Sequence, residues 1–212
     1  MRRFLTRCGV ATLLACLGTA VVCAAPQSVY GPSTPGDAAF VRILNLLPDG
    51  LRLTLGAAKI GPLQQGAISS YYAILPDIYT VRAGGAEQEV VPQSGTYLTV
   101  ACSSTGITVF TDPPHTNPAK AQLFFYNMTP AAPLDLRTAD GKTTVIAGVK
   151  TGESAQVVVN AVTVSLAVFK GPALVKSVGS LTLQRGASYS VFLMGDAASP
   201  SVLSAKADVK VP

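Results

Sequence analysis

The chain has 212 residues, 49% of them hydrophobic and 13% charged, with a formal charge of +5. Three of its 16 basic residues and three of its four cysteines fall in the first 23 positions, so a chain processed after position 24 carries 13 basic against 11 acidic groups and one thiol, Cys102. Near-neutral charge removes the support for nucleic-acid binding, and one thiol forms no internal disulfide, so the fold rests on its own core.

Met1, Arg2, Arg3 and Arg7 give a basic start, residues 8–22 are almost wholly apolar, and Val22-Cys23-Ala24 ends on a small residue. This is the layout of a secretory signal. It predicts cleavage after Ala24, residues 1–24 as signal peptide, and a periplasmic product. The run is short of the roughly 20 residues a membrane span needs. Leu13-Leu14-Ala15-Cys16 leaves a lipoprotein signal as the alternative.

The lead "SVYGPSTPGD" is loop chemistry. Within it Tyr30 and Pro32 are predicted to contact a partner, because an aromatic beside prolines is already stiff and loses little entropy on binding. Downstream no helical period is sustained. Short apolar or alternating runs broken by turn dipeptides predict an all-β protein.

The pieces recur in order. "AFVRILNLLPDGLRLTL" aligns with "AQLFFYNMTPAAPLDLRT": strand, asparagine, proline three residues on, then an alternating strand. "LQQGAISSYYAILPDIYTVRAGG" aligns with "GVKTGESAQVVVNAVTVSLAVFKG", and "VPQSGTYLTVACSSTG" with "TLQRGASYSVFLMGD". Units of about 75 to 90 residues with about seven short strands each read as tandem Ig-like β-sandwiches. The expected boundaries are 28–111 and 121–212. Between them "DPPHTNPAK", residues 112–120, reads as a proline-rich, semi-rigid linker. Asn45 and Asn127 each end a first strand, and asparagine suits that place because it tolerates left-handed backbone and bonds the main chain two residues on. Asp140-Gly141 suits a two-residue hairpin turn.

Chemistry is sparse. His115 is the single histidine, which argues against a zinc or iron site needing several His or Cys ligands. Asp112 and His115 have the D-x-x-H spacing of SGNH-type esterases. However, "MGDAAS" carries alanine where the nucleophile belongs, and no G-x-S-x-G elbow is present, so the pair reads as linker polarity. Glu87 and Glu89 share one strand face and read as a solubilising edge. Tyr71 and Tyr72 are adjacent, so only one can face solvent. Tyr97 and Tyr189 occupy matching places and read as core residues with their hydroxyls at the rim. Cys102, in "TYLTVACSS", reads as buried and inert. No catalytic, metal or cofactor residue is predicted.

Three further pieces are specific: Tyr30-Gly31-Pro32, Ala39-Phe40-Val41-Arg42 with Asn45, and Thr138-Ala139-Asp140-Gly141-Lys142. With "VSLAVFKG" and "VGSLTLQRGASYSVFLMG" they make the chain resemble the AlgF family of periplasmic alginate O-acetylation proteins over residues 28–195. The resemblance implies two β-sandwich domains and a non-catalytic adaptor without cofactor. The implied partners are SGNH-type acetyltransferases and a membrane acyl-transfer protein that decorate an exopolysaccharide, most directly alginate, with cellulose acetylation as the other polymer. The rival readings are an extracytoplasmic glycan-binding module and an acetyl-transfer enzyme. The enzyme reading lacks a nucleophile.

Overall fold

A computed structural model describes residues 34–211. The signal segment, Tyr30 and Pro32 lie outside the described residues. Within them the chain is all-β. The first half forms β1 (Ala39–Asn45), β2 (Leu51–Leu55), β3 (Ala58–Leu63), β4 (Tyr71–Ile74), β5 (Tyr79–Ala83), β6 (Ala86–Val90), β7 (Tyr97–Ser103) and β8 (Gly106–Asp112). The second forms β9 (Ala121–Asn127), β10 (Leu134–Thr138), β11 (Thr144–Val149), β12 (Ser154–Val159), β13 (Thr163–Lys170), β14 (Ala173–Thr182), β15 (Ser188–Met194) and β16 (Ser201–Lys206), before a short β17 (Val209–Lys210).

The repeat read from the sequence is present as topology. One sheet runs β4-β1-β7-β8, extended at its edge by β17, and another runs β12-β9-β15-β16; the second order is the first moved on by eight strands. In both, the first and seventh strands of the half pair in parallel, Val41 opposite Leu98 and Leu123 opposite Tyr189. The facing layers correspond too, with β2-β3 and β5-β6 in one half and β11-β10-β13-β14 in the other. Each half has eight strands rather than about seven.

The parallel strands sit at the centre because of what they carry. A strand covered on both faces reads as a continuous apolar run rather than an alternating one. β1, β7, β9 and β15 are buried at nearly every position. Val41, Ile43, Val100 and Cys102 face one core with Leu55, Ile60 and Val81. Leu123, Phe125, Val191 and Leu193 face a second core with Leu136, Leu166 and Val168. The alternate residues of these strands, Leu44 and Ala101 from one sheet and Phe124, Tyr126, Phe192 and Met194 from the other, meet in a third core with Phe110. The two central sheets therefore pack face to face.

Three parts of the sequence reading change. Asp112, read as the polar first residue of the linker, ends β8 and is 2% exposed. An acid at the end of a strand whose sheet is covered on this side goes inward with the strand. Val209 and Lys210, read as part of the second unit, ladder onto Tyr71 and Tyr72 of β4 in the first. The hairpin at Asp140-Gly141 is present, but its loop is longer than two residues. The Thr138 N–H donates to the Thr143 carbonyl at 2.9 Å, and the Asp140 carboxylate accepts the Thr138 hydroxyl and the Lys142 N–H. Gly141 takes φ +72° at its tip, under the Phe169 ring.

Candidate functional site

The two strand-ending asparagines are buried and make the same bonds. Asn45 Nδ2 donates to the carbonyls of Asp49 and Leu63, both at 2.9 Å, and its Oδ1 accepts the Leu47 N–H at 2.9 Å. Asn127 Nδ2 donates to the carbonyls of Ala131 at 2.7 Å and Val149 at 3.2 Å, and its Oδ1 accepts the Thr129 N–H at 3.1 Å. Each asparagine turns the chain with bonds two and four residues on. Each also reaches the last residue of the facing layer's hairpin, so it fastens a central strand to the layer above it. The turn role read from the sequence is the one the geometry gives.

Between the two central sheets lies a buried polar cluster. Arg42 on β1 is 2% exposed. Its Nε donates to the Thr99 hydroxyl at 2.8 Å, and its Nη2 donates to the hydroxyls of Tyr126 and Ser190, both at 2.9 Å. The guanidinium lies 4.4 Å over the Tyr71 ring and 5.4 Å from the Phe192 ring. Asp112 Oδ2 stands 3.7 Å from Arg42 Nη2. That carboxylate also accepts the hydroxyls of Tyr71 at 2.7 Å, Tyr126 at 2.6 Å and Thr99. Burial first, and the neighbouring carboxylate after it, hold the phenols of Tyr71 and Tyr126 well above their ordinary range, so both remain donors. A charge in a dry interior is tolerated when it is paired and hydrogen-bonded; here Arg42 faces Asp112, and its Nε and Nη2 are bonded to hydroxyls.

The sequence reading did not find this cluster. Arg42 entered it only as part of a family motif, and Asp112 only as the first linker residue and half of a D-x-x-H pair. The usable signal was an arginine inside "AFVRILN". A charge in a run otherwise apolar on both faces needs a buried partner.

The D-x-x-H pair does not form a dyad. Asp112 is occupied as described, and His115 makes no hydrogen bond among the described residues; its Nε2 is buried without a partner. His115 lines an open groove of about 510 Å³ at the end of the interface where β7, β9 and β15 begin. The serine in that groove, Ser188, donates its hydroxyl to Gln122 at 3.0 Å rather than to the histidine. Glu87 is exposed and pairs with Arg82 across the β5-β6 ribbon at 2.7 Å. Tyr71 is buried and Tyr72 half-buried, and the Tyr189 hydroxyl accepts the Gln184 N–H at 3.1 Å. Cys102 is fully buried, and burial pushes its thiol up to about 11. No cluster of three or more His, Cys, Asp or Glu suited to a metal occurs among the described residues.

A family model described as Alginate O-acetyl transferase AlgF matches residues 11–190. The chain belongs to the AlgF family. It is 31% identical over 172 residues to the alginate biosynthesis protein AlgF of Pseudomonas putida, covering 81% of this chain and 80% of that one. It is 29% identical over 212 residues to the same-named protein of Pseudomonas aeruginosa, covering 97% and 98%. A solved structure of the C-terminal domain of AlgF from P. aeruginosa aligns at 30% identity and TM-score 0.37, covering 42% of this chain and 98% of that one. The family motif noted above holds the cluster's arginine, Arg42, and one of the two corner asparagines, Asn45. In this family member both serve the fold.

Proposed function

We propose that this chain is a non-catalytic periplasmic accessory protein of alginate O-acetylation, holding SGNH-type acetyltransferases and a membrane acyl-transfer protein together. Family membership supports the alginate role. The observation that carries the non-catalytic part is the position of Asp112: the acid of the single D-x-x-H pair is spent on Arg42 and three hydroxyls, leaving His115 without an orienting partner or a bonded nucleophile. A triad needs both. The architecture suits a bracket, since two eight-strand halves joined through a shared core hold their outer edges and loops at fixed separation. Strand edges and loops are the usual means of taking a protein partner. The lead around Tyr30 and Pro32 is the proposed contact for one partner, and the two repeat halves are the proposed domains.

The test has two parts. Deleting the gene should leave polymer secreted but under-acetylated, and the tagged protein should bring down the acetyltransferase. Purified protein exposed to an activated acetyl ester should gain no acetyl group by intact mass. A single-site acetyl adduct that chases onto saccharide would overturn the adaptor assignment.

A further inference from the structure

A strand at the rim of a sheet leaves a row of main-chain groups unpaired, a template for another chain, and proteins guard such rims with charge, breaks in register or cover. Each half has two flanks where its sheets end. In the first half β17 covers β4, and β6, with Glu87 and Glu89, lies alongside β8. In the second half Lys206 ends β16, which lies beside β14 with its Lys176 and its shifts in register. The remaining flank is β12, with β11 beside it. Neither strand contains a charged residue. β12 pairs with β9 over the whole of Ser154–Val159 without a shift, so it is flat as well as uncharged. It is also the counterpart of β4, the edge that is covered in the first half. The segment after β8, which corresponds in the repeat to the one that supplies β17, holds Pro113, Pro114 and Pro118 and forms no strand. Proline has no N–H to give to a ladder.

Register decides which groups of β12 are free. The Asn127 N–H donates to the Glu153 carbonyl at 3.0 Å. Hydrogen-bonded pairs recur at every second residue of an antiparallel ladder. Ala155, Val157 and Val159 therefore turn their main-chain groups to β9, while Ser154, Gln156 and Val158 turn theirs outward, where no described residue bonds them. The side chains along this edge are apolar and open to solvent. Val158 is 39% and Val162 49% exposed, on the rim of a shallow aliphatic groove that Val145 and Val164 also line.

We propose that β12 pairs antiparallel with β12 of a second copy, joining the two central sheets into one across a two-fold axis. Opposite residues of an antiparallel pair share a face, so the axis passes through a residue rather than between two. Through Val157, it sets Gln156 opposite the partner's Val158, and both have free main-chain groups. No like charges meet, because the strand has none. The ends are complementary. Glu153 leads into β12, and Lys120, which makes no ion pair among the described residues, precedes Ala121, the residue opposite Val159 at the far end. Antiparallel pairing brings Glu153 of each copy toward Lys120 of the other. An uncharged middle with ends of opposite sign, all within one sequence, is what singles out a second copy as the occupant. A contact that uses the same strand on both sides also closes at two copies. The inference goes beyond the accessory role and does not rest on it; the pair carries two brackets side by side.

The full mature protein is followed by sedimentation velocity from about micromolar to about millimolar concentration. The expected result is a shift from one copy to two and no larger species. Val158→Lys places a charge on the edge, and Val158→Pro removes an N–H that β9 does not use; each should weaken self-association at least about tenfold with the circular dichroism spectrum unchanged. Val109→Lys, the same change on the β8 edge, should leave association as it is. Amide exchange supplies a second reading that needs no variant. Protection of Gln156 and Val158 should rise with concentration, while Ala155 and Val157, already bonded to β9, stay as they were. A single copy at every concentration, association that Val158→Lys does not weaken, equal loss in Val109→Lys, or concentration-dependent protection at another edge in place of β12 would each overturn the proposal.

Discussion

Arg42 and Asp112 form an ion pair from two strands of the first half, yet the pair is completed by the second. Tyr126 accepts from the arginine and donates to the carboxylate, and Ser190 accepts a further arginine proton. The bond network therefore crosses between the halves at their most buried point. Removing one member leaves the other as an uncompensated buried charge, which costs about 3–5 kcal/mol. Arg42→Met and Asp112→Leu are each expected to lower unfolding stability by that order in urea titrations. The double variant should cost less than the sum, because no stranded charge remains. Additive losses would show that the two side chains act separately.

The same crossing makes unfolding a joint event. With a shared third core between the central sheets, the unaltered protein should melt in one transition by both tyrosine fluorescence and circular dichroism. Arg42→Met should bring the two probes apart. Two separate transitions in the unaltered protein would mean that the interface contributes little.

Asn45 and Asn127 each satisfy three main-chain groups from a buried side chain. Leaving a buried polar group unsatisfied costs about 1–3 kcal/mol. Asn127→Ala should destabilise by about 2–4 kcal/mol, and Asn45→Ala by a similar amount. Asn127→Asp should be worse than alanine, because a carboxylate would face two carbonyl oxygens. Equal stability of the aspartate variant and the parent in chemical denaturation would exclude this account of the corner.

Cys102 gives a pH signature. Its thiol is raised from 9.0 to about 11 in the fold, so the folded state holds this proton more tightly than the unfolded chain does. The associated stability is complete below about pH 9 and is lost as pH rises toward 11. Cys102→Ala should flatten that part of the stability profile, and native labelling of the thiol should proceed only as fast as the core opens. Rapid labelling at neutral pH would contradict the burial.

Export predicts a mature N-terminus at Ala25. Mass spectrometry of periplasmic material decides it, and a diacylglyceryl group on Cys16 would establish the lipoprotein alternative.

The class and the repeat were legible because turn residues and strand runs are local signals. The asparagine corners were legible for the same reason, since an Asx turn closes within two to four residues. The stacking of the halves was written in the sequence but overlooked. "AFVRILN" and "AQLFFYN" do not alternate, and absence of alternation in a strand means cover on both faces. The partners of Arg42 were not legible, because Tyr126 and Ser190 lie 84 and 148 residues away and no local rule links them. Asp112 was misplaced because three prolines follow within six residues, and that breaker signal outweighed the apolar strand before it.

The outer layers of the two halves differ in one respect. In the second half β10 and β13 are laddered, and four strands form one sheet. In the first half the corresponding β2 and β5 share no ladder, and the layer is two separate ribbons. Two-stranded ribbons are marginal by themselves and hold by packing alone. Each can lift from the core without dragging the other, whereas the second half's sheet must open as a block. The duplicated architecture therefore has a pliant cover and a stiff one. Amide protons in residues 51–63 and 79–90 should exchange with solvent well before those in residues 134–149 and 163–182, so a partner seated on the first cover would meet a surface that yields to it.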